Sequence, residues 1–279
     1  MNLLSKTWFI TGTSSGFGRI LTERLLARGD RVAATLRKIN VLDDLKAQYG
    51  DQLWVASLDV TDTEAVRQTV DRAFAIMTRI DVFVNNAAYG LFGAAEEVSD
   101  DQIRHQIDTN LVGSIHVIRA ALPHLRAQGR GRILQVSSEG GQIAYPNFSI
   151  YHATKWGIEG FIEAVAQEVA PFGIEFTIAE PGPAKTSFGA GMVSPPSMDV
   201  YENTPAGKMR RAFAAGTFTI KGDPIKMAQA MIDSVDRTPA PKRLALGSGT
   251  YTSIRAALIE RLATLDGQKD IALSTDIDA

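Results

Sequence analysis

Tyr151 and Lys155 are the two residues whose types and spacing most directly suggest acid–base chemistry. Four residues apart on a helix, their side chains lie on one face, close enough for the ammonium group to act on the phenol. A free phenol has a pKa of about 10, so ionising it near neutrality means lowering that pKa by about 3, or about 4 kcal/mol. One charge about 5 Å away, at an effective dielectric constant of about 20, supplies about 3 kcal/mol. The pair therefore predicts a tyrosine that exchanges a proton with the help of a lysine.

A glycine-rich segment, Thr11-Gly12-Thr13-Ser14-Ser15-Gly16-Phe17-Gly18, follows the first apolar run and precedes an apolar helical pattern. A strand that turns tightly into a helix points unpaired N–H groups and the positive helix end at one place, where a pyrophosphate can bind. The absence of Cβ atoms lets the phosphate come close. The alternative is a tight turn without a ligand, but the position directly after the first strand favours a dinucleotide site. A Walker-type site is disfavoured because no Gly-Lys-Ser or Gly-Lys-Thr follows.

Further motifs occur in order along the chain. They are Asn85-Asn86-Ala87-Ala88, Asp108-Thr109-Asn110-Leu111, Ser137-Ser138, the Tyr151/Lys155 pair and Pro181-Gly182-Pro183-Ala184-Lys185-Thr186. With the GxxxGxG spacing, this ordered set resembles the short-chain dehydrogenase/reductase family over about residues 5–250, notably its NADP-preferring carbonyl reductase and steroid and retinol dehydrogenase-like branch. Ala88, where the family carries glycine, is a departure that affects only local backbone geometry.

The resemblance implies a catalytic role for four residues. Tyr151 is the general acid/base on the carbonyl or alcohol oxygen, Ser138 holds that oxygen, and Lys155 also holds the nicotinamide ribose. Asn110 positions water in a proton relay. Two structural alternatives stay open, since Ser138 could cap a turn at a strand end and Asn110 could bond a kinked helix.

The end of the second predicted strand bears on the choice of cofactor. A carboxylate there would bind the ribose of NAD(H) and repel a 2′-phosphate, but this sequence has Arg37 and Lys38, which favours NADP(H) over NAD(H). Two solvated charges on a turn are the alternative. By the resemblance, the cofactor contacts are Gly12, Thr13, Ser14, Ser15, Gly16, Phe17, Gly18, Arg37, Lys38, Asp59, Val60, Asn86, Ala87, Ala88, Lys155, Pro181, Gly182 and Thr186.

Short apolar runs alternate with longer amphipathic stretches, the pattern of βαβ units in a sheet covered on both faces. We predict strands at residues 7–11, 31–36, 53–57, 82–85, 132–137, 175–179 and 243–246. Helical patterns lie at residues 18–28, 41–49, 63–78, 100–128, 151–172, 225–236 and 251–265. The sequence therefore predicts an α/β, doubly wound Rossmann fold with a seven-stranded, mainly parallel sheet.

The chain is predicted to form one domain over residues 1–279, with an insertion at about 183–222 and a flexible tail at about 268–279. Short helices are expected near residues 200–215. The insertion carries more bulky apolar residues than a solvated loop should expose, so we expect it to close over the nicotinamide as a lid. Tyr145, Phe188 and Met192 are the candidate substrate contacts, and the lining suits a small hydrophobic carbonyl or alcohol.

Composition limits the classes of partner. With 29 basic and 31 acidic residues the chain lacks the positive excess that nucleic acid binding needs. It has no cysteine and no run of 18 apolar residues, so thiol chemistry and a membrane span are excluded. No signal peptide is recognisable, and we expect a soluble cytoplasmic protein. His105, His116 and His124 lack metal-ligand spacing, and no metal site is predicted.

The sequence leaves other functions open. A non-catalytic NADP(H)-binding sensor or scaffold would keep the fold, although such relatives usually lose the tyrosine or the lysine. Isomerase or dehydratase chemistry would use the cofactor transiently. An enoyl reductase needs a wider Tyr–Lys separation, and His152 stands where Tyr145 would need its lysine. The resemblance also implies a homodimer or homotetramer, built through the two longest helical patterns.

Overall fold

The computed structural model describes residues 5–277; residues 1–4 and the last two residues of the predicted tail lie outside that range. One seven-stranded sheet runs in the order β3-β2-β1-β4-β5-β6-β7. The strands are β1 (Thr7–Thr11), β2 (Arg31–Leu36), β3 (Leu53–Ser57), β4 (Val82–Asn85), β5 (Gly131–Val136), β6 (Ile174–Pro181) and β7 (Arg243–Leu246). The predicted doubly wound α/β sheet is confirmed, and every strand pair in the described residues is parallel.

Strand β1 lies at the centre of the connectivity. The chain moves outward from β1 through β2 to β3, then returns to the other side of β1 with β4. The carboxyl ends of all the strands meet at one edge of the sheet, and ligands of open α/β sheets bind in the crevice where the strand order reverses. The glycine-rich turn and the Asn85-Asn86 segment both lie at this crevice because they follow β1 and β4 directly.

Ten α-helices are present in the described residues. They are α1 (Gly16–Ala27), α2 (Asp43–Tyr49), α3 (Thr63–Met77), α4 (Asp100–Ile107), α5 (Gly113–Gln128), α6 (Ser149–Val169), α7 (Pro205–Ala214), α8 (Pro224–Val235), α9 (Ser248–Asp266) and α10 (Lys269–Leu273). The predicted strands end within two residues of the observed bounds. The predicted helices end within three residues, apart from the break between α4 and α5.

Two apolar cores, one on each face of the sheet, hold the helices in place. Helices α1, α2 and α8 cover one face, and α3, α5 and α6 cover the other. Alternate residues of β1 point to opposite faces, so Trp8 and Ile10 join the first core and Phe9 joins the second, where its ring stacks on Phe83 at 4.8 Å. The central strands are buried on both faces, which explains their continuous apolar runs.

A π-helical turn at Asp108–Val112 separates α4 from α5. The apolar pattern continues through this stretch, so the sequence predicted one helix over residues 100–128, and that prediction is wrong here. The Asn110 side chain supplies the physical reason. Its Oδ1 accepts from the backbone N of Tyr89 (3.1 Å) and its Nδ2 donates to the Tyr89 carbonyl (2.9 Å), so the turn is tied to the segment after β4.

The predicted insertion lies between β6 and β7, and β7 completes the sheet by pairing with β6. We call residues 183–222 the lid. It contains a single helical turn at Asp199–Tyr201 and helix α7, and its two ends pair with each other through Ala184 and Gly222. A further bridge joins Leu91 of the body to Val193 of the lid.

The last part of the described chain is helical. Helix α9 follows β7, and the short helix α10 occupies part of the tail that the sequence predicted to be flexible. In residues 5–277, no helix combines the length and the apolar character that crossing a membrane requires.

Glu97 ties the lid to the body. Its Oε1 accepts from the backbone N of Met198 (2.8 Å) and from Nη1 of Arg210 (3.0 Å), while Oε2 accepts from the backbone N of Ala94 (2.8 Å). Burial alone would raise the pKa of Glu97, but the hydrogen bonds and the charge of Arg210 outweigh burial and lower it. The carboxylate therefore stays charged at neutral pH, and we call it the lid latch.

Replacing Glu97 with Gln should loosen the lid without unfolding the sheet. Hydrogen bonds to a charged group contribute about 1.5–3 kcal/mol, so the amides of residues 193–215 should exchange with solvent about 10- to 150-fold faster. Hydrogen–deuterium exchange measures this directly. Glu96→Gln is the matched control, because Glu96 accepts only an exposed bond from the Tyr201 hydroxyl (2.8 Å) and should change exchange by less than about threefold. Equal exchange in Glu97→Gln and wild type would contradict the latch.

Candidate active site

The glycine-rich turn has a backbone shape that side chains would obstruct. The N–H groups of Gly12 and Thr13 both donate to the Thr35 carbonyl of β2, at 2.9 and 3.1 Å. Gly12 and Gly16 have φ of +72° and +55°, which disfavour a side chain. A Cβ on Gly18 would lie 2.3 Å from the Gly12 carbonyl oxygen, so the helix can start this close to the turn only with glycine there.

Asn86 clamps this turn from the opposite side of the crevice. Its Nδ2 donates to the carbonyls of Thr11 (2.9 Å) and Gly12 (3.1 Å). In return, the Thr11 hydroxyl accepts from the backbone N of Asn86 (2.9 Å) and of Ala87 (3.0 Å). A Cβ on Gly12 would come within 2.8 Å of the Ala87 Cα. The ends of β1 and β4 are thus locked together, and Ala87 and Ala88 are half-buried beside them.

The hydroxyl groups of the turn differ in their availability. Thr13 is buried and its Oγ1 donates to the Thr35 carbonyl (3.1 Å), so its proton is engaged within the protein. Ser14 and Ser15 are exposed. The Ser15 side chain does not cap α1, and no acidic residue lies in the first turn of that helix. The helix end therefore keeps the free N–H donors and the positive potential that suit an anion. Phe17 packs partly buried against the core beneath it.

The segment after β6 approaches the same turn. Pro181 is the last residue of β6, and the N–H of Gly182 donates to the Leu246 carbonyl of β7 (3.0 Å). A Cβ on Gly16 would lie 3.9 Å from the Cβ of Thr186, so the start of the lid borders the glycine-rich turn. The structure thus brings these three predicted cofactor contacts to the crevice.

Tyr151 and Lys155 lie on the buried face of α6, as the spacing predicted. The Nζ of Lys155 lies 5.6 Å from the centre of the Tyr151 ring and donates to the Val136 carbonyl at the end of β5 (3.0 Å). Ser138 follows two residues after β5, with its side chain facing the Tyr151 phenol. Its Oγ also accepts from the N–H of Gly140 (3.1 Å), so Ser138 caps a turn as well as reaching the tyrosine.

In the protein without cofactor, burial determines the protonation states of Tyr151 and Lys155. It raises the pKa of Tyr151 to about 12; Ser138 acts in the opposite direction and Glu139 adds to the rise. Burial also lowers the pKa of Lys155 to about 8, against the opposing charge of Glu159. The lowering of the tyrosine pKa that the lysine charge predicted is wrong for the chain without cofactor, because desolvation of the phenol outweighs that charge. The phenol is neutral and holds a proton that it can donate.

Asn110 lies on the π-helical turn, which packs against α6. Its side chain makes two bonds to the main chain of Tyr89, and its carbonyl accepts from Ser114 Oγ (2.9 Å). The side chain therefore holds the π-helical turn to the segment after β4, and it keeps one further donor and acceptor position. A role in positioning water stays a prediction.

Two cations mark the far end of the crevice. Arg37 and Lys38 follow β2 directly, are exposed, and form no ion pair with another residue of the described range. Asp59 lies after β3, where its Oδ1 accepts from the N–H (3.0 Å) and hydroxyl (2.7 Å) of Thr61. Burial opposes ionisation of Asp59, but these bonds and the charge of Arg37 outweigh burial and lower its pKa. Val60 is buried beside it.

The predicted substrate contacts surround Tyr151. The Phe188 ring lies 5.8 Å from the Tyr151 ring, and a Cβ on Gly90 would come 2.8 Å from Cγ of Met192. Tyr145 lies near Tyr151 too, with its ring 5.3 Å from that of Phe148. The lid thus contributes apolar groups to the space beside Tyr151.

Sequence reasoning missed several residues of this wall. Phe148, one helical turn before Tyr151, packs on Phe92 at 5.0 Å, and Phe92 packs on Phe213 of α7 at 5.3 Å. His152 is also buried, with its ring 4.5 Å from that of Tyr145, and burial lowers its pKa to about 4. The spacing of Phe148 and Tyr151 could have indicated a shared face, but Phe92 and Phe213 meet only through the tertiary fold.

The crevice fits a dinucleotide better than a metal ion. The uncapped start of α1 provides N–H donors for phosphates, and Gly12 and Gly18 let the turn and the helix pack closely enough to present them. Lys155 has three N–H donors and a single protein acceptor among the described residues, which leaves donors for ribose hydroxyls. Across residues 5–277 no cluster of three His, Cys, Asp or Glu side chains could hold a metal.

Comparison with known proteins gives the family. The family model described as short chain dehydrogenase matches residues 6–195. The oxidoreductase BOA17 of Botryotinia fuckeliana is 38% identical over 246 residues, which are 88% of this chain and 89% of that protein. Human retinol dehydrogenase 8 is 29% identical over 288 residues, covering 97% of this chain and 88% of that one.

Solved structures of dehydrogenases share the fold of this chain. A short-chain dehydrogenase from Streptomyces avermitilis superposes with a TM-score of 0.91 at 37% identity and covers 99% of this chain and 100% of its own. An alcohol dehydrogenase from Thermococcus sibiricus, complexed with 5-hydroxy-NADP, gives a TM-score of 0.69 at 25% identity and covers 86% of this chain and 94% of its own. The chain is therefore an oxidoreductase that belongs to the short-chain dehydrogenase/reductase family, in its retinol and steroid dehydrogenase-like branch.

Proposed function

We propose that this protein interconverts a carbonyl and a primary or secondary alcohol with NADP(H). The observation that carries the proposal is the grouping of Tyr151, Ser138 and Lys155 at the carboxyl edge of the sheet, beneath an apolar lid and beside an anion-binding turn. This grouping provides a proton donor, a hydrogen bond for the same oxygen and a positive charge within one buried site.

In the direction of reduction, Tyr151 donates its phenolic proton to the carbonyl oxygen. Ser138 holds that oxygen through its hydroxyl, and Lys155 stabilises the phenolate that remains. In oxidation the phenolate takes the proton back from the alcohol. NADP(H), when bound, supplies or accepts the hydride. The free donors of Lys155 hold its ribose, and Asn110 is assigned the water relay that reloads the tyrosine with a proton.

The NADP preference is supported by Arg37 and Lys38, which are exposed at the end of β2 where a 2′-phosphate would lie. The bound 5-hydroxy-NADP of the Thermococcus sibiricus alcohol dehydrogenase agrees with it. NAD(H) is the second choice. The remaining cofactor contacts are those that border the crevice, from the glycine-rich turn to Asp59, Asn86, Gly182 and Thr186.

A hydrophobic substrate is supported by the aromatic wall around Tyr151. Phe188, Phe148 and Phe92 surround the space beside the phenol, and Met192 adds a flexible apolar group. The resemblance to retinol dehydrogenase 8 agrees with this chemistry. A non-catalytic sensor would have no need to bury a tyrosine against a serine and a lysine, so we place it second. We also propose a cytoplasmic location, which the cysteine-free composition of the chain fits.

Tyr151→Phe should remove the proton donor and leave the cofactor site intact. General acid–base catalysis contributes about 10²- to 10⁴-fold, so kcat should fall at least about 100-fold while NADPH affinity stays within about threefold. Stopped-flow reduction of a hydrophobic aldehyde or ketone panel and NADPH fluorescence titration measure the two quantities. Activity retained within tenfold would contradict the role of Tyr151. Tight NADPH binding by a wild-type protein that turns over no substrate would favour the sensor.

Arg37→Asp should reverse the choice of cofactor. A hydrogen bond to a charged group contributes about 1.5–3 kcal/mol, or about 10- to 150-fold in binding, and the new carboxylate also repels a 2′-phosphate. The ratio of kcat/KM for NADPH to that for NADH should fall at least about 100-fold. Arg31→Asp, at the opposite end of the same strand, is the control and should leave the ratio unchanged. A wild type that prefers NADH, or an unmoved ratio, would contradict the NADP assignment.

We also propose a homodimer or homotetramer formed through the outer faces of α4, α5 and α6. Trp156 of α6 and Phe172, three residues after the end of α6, are 43% and 41% exposed, which is costly for large apolar side chains. Light scattering at micromolar concentration should give two or four times 30.2 kDa, and the Trp156→Glu/Phe172→Glu double variant should dissociate. Ile259→Glu, on the exposed side of α9, is the control. A wild-type mass of one chain would contradict the proposal.

A further inference from the structure

The carboxylate of Glu159 is buried against the segment that carries Ser138. Its side chain is 3% exposed. Its Oε1 accepts from the hydroxyl of Ser137 (2.5 Å), and its Oε2 accepts from Nε2 of Gln142 (2.6 Å). Ser137 and Gln142 flank the turn that begins at Ser138. The carboxylate therefore binds this segment at both ends.

The fit between the carboxylate and the turn is close. A Cβ on Gly141 would lie 1.9 Å from Oε1 of Glu159, so the absence of a side chain at residue 141 lets the main chain rest on the carboxylate. Glu159 belongs to α6, the helix that carries Tyr151 and Lys155. Its hydrogen bonds thus connect the serine of the site to the tyrosine and the lysine of the site.

Arg243 of β7 completes the cluster. Its Nη1 donates to Oε2 of Glu159 (2.6 Å) and to Oε1 of Glu180 on β6 (2.5 Å), and its Nη2 donates to Oε1 of Glu163 (2.5 Å). Burial disfavours the charge of Arg243, but the hydrogen bonds to these carboxylates outweigh burial and raise its pKa. We call Glu159, Ser137, Gln142 and Arg243 the brace.

Glu159 also lies one helical turn after Lys155, on the same buried face. Lys155 has only the Val136 carbonyl as an acceptor among the described residues. Burial lowers the pKa of Lys155 to about 8, and the negative charge of Glu159 opposes that lowering. Without this charge, the ammonium would lose its proton at a lower pH.

We propose that Glu159 is a positioning residue of the active site: its carboxylate holds the Ser138 turn against α6, and its charge keeps the buried Lys155 protonated. The inference rests on the proposed function for its catalytic consequences. The hydrogen bonds of the brace, and the effect of the Glu159 charge on Lys155, are present in the protein without cofactor.

Other charged groups face this region from each element packed against it. They are Glu139 after β5, Glu180 on β6, Arg243 on β7, and Tyr151 and Glu163 on α6 itself. Arg243 is shared among three carboxylates, so its charge does not cancel that of Glu159 alone. Burial, followed by the charge of Glu159, raises the pKa of Glu180. Glu159 is the carboxylate whose charge acts on Lys155.

Three variants separate the two roles. Glu159→Gln removes the charge and keeps the side-chain shape, and Ser137→Ala removes one hydrogen bond and keeps the charge. Glu163→Gln is the matched control, because Glu163 lies on the same helix and bonds the same arginine but is exposed and, among the described residues, forms no hydrogen bond to the turn.

The first readout uses the protein without cofactor. A ¹³C NMR titration of labelled lysine, with the Lys155 signal assigned by its loss in Lys155→Met, gives the titration midpoint of Lys155. It should drop by at least about one pH unit in Glu159→Gln and stay within about 0.3 units of wild type in Ser137→Ala and Glu163→Gln. An unchanged midpoint in Glu159→Gln, or an equal drop in Glu163→Gln, would overturn the electrostatic role.

The second readout is activity against pH in the holoenzyme. Activity that needs charged Lys155 is present below its midpoint and lost as pH rises through it, so Glu159→Gln should lose kcat at a lower pH than wild type. Ser137→Ala should lower kcat about 3- to 30-fold at every pH with little change in KM. Glu163→Gln should match wild type within about twofold.

Glu159→Asp keeps the proposal testable if the glutamine variant does not fold. Its shorter side chain retains the charge but cannot reach Ser137 and Gln142 together, so kcat should fall while the Lys155 midpoint stays near that of wild type. Full activity of Glu159→Asp would overturn the positioning role. A wild type without turnover would refute the proposed function, and the NMR midpoints would still decide the inference.

Discussion

A buried positive charge, the ammonium group of Lys155, is the constraint on which the arrangement of the proposed active site depends. Lys155 is 2% exposed and, within residues 5–277, has one hydrogen-bond acceptor, the Val136 carbonyl. Removing an ammonium ion from water costs several kcal/mol unless other charges and dipoles replace the solvent. Here the Tyr151 ring, the carboxylate of Glu159 and the end of β5 take that place. The helix and the strand cannot shift apart without leaving the charge unsolvated.

The cofactor side of the crevice follows a different principle. No charge holds the glycine-rich turn to β4; instead, the Thr11 hydroxyl and the Asn86 amide exchange four hydrogen bonds with the main chain. Neutral contacts of this kind keep the electrostatic potential of the helix end available for an anion. The crevice is therefore held together by neutral hydrogen bonds around the glycine-rich turn. Around Lys155 it is held together by charged groups.

The sequence predicts this fold well because the strands and turns that define it leave patterns in short stretches of residues. Strands buried on both faces appear as short apolar runs, and glycine positions reveal the tight turn after β1. The π-helical turn was not predictable, since its cause is a pair of hydrogen bonds between Asn110 and Tyr89, 21 residues away. The same holds for the bond between Glu159 and Arg243, which spans 84 residues. The pKa of Tyr151 rises because the phenol is buried, and the spacing of residues in the sequence does not reveal burial.

The connection of the lid to the sheet has a consequence for how this chain can change. The lid leaves after β6 and returns at β7, and its ends meet at Ala184 and Gly222. Because the neighbouring strands fix these ends, doubling the length of such a loop costs only about 0.6 kcal/mol in closure entropy. Insertions or exchanges between the two bridge residues leave Glu180 and Arg243 in register. The apolar groups that the lid adds beside Tyr151, such as Phe188 and Met192, can therefore be replaced by evolution or in the laboratory while Tyr151, Ser138 and Lys155 keep their positions.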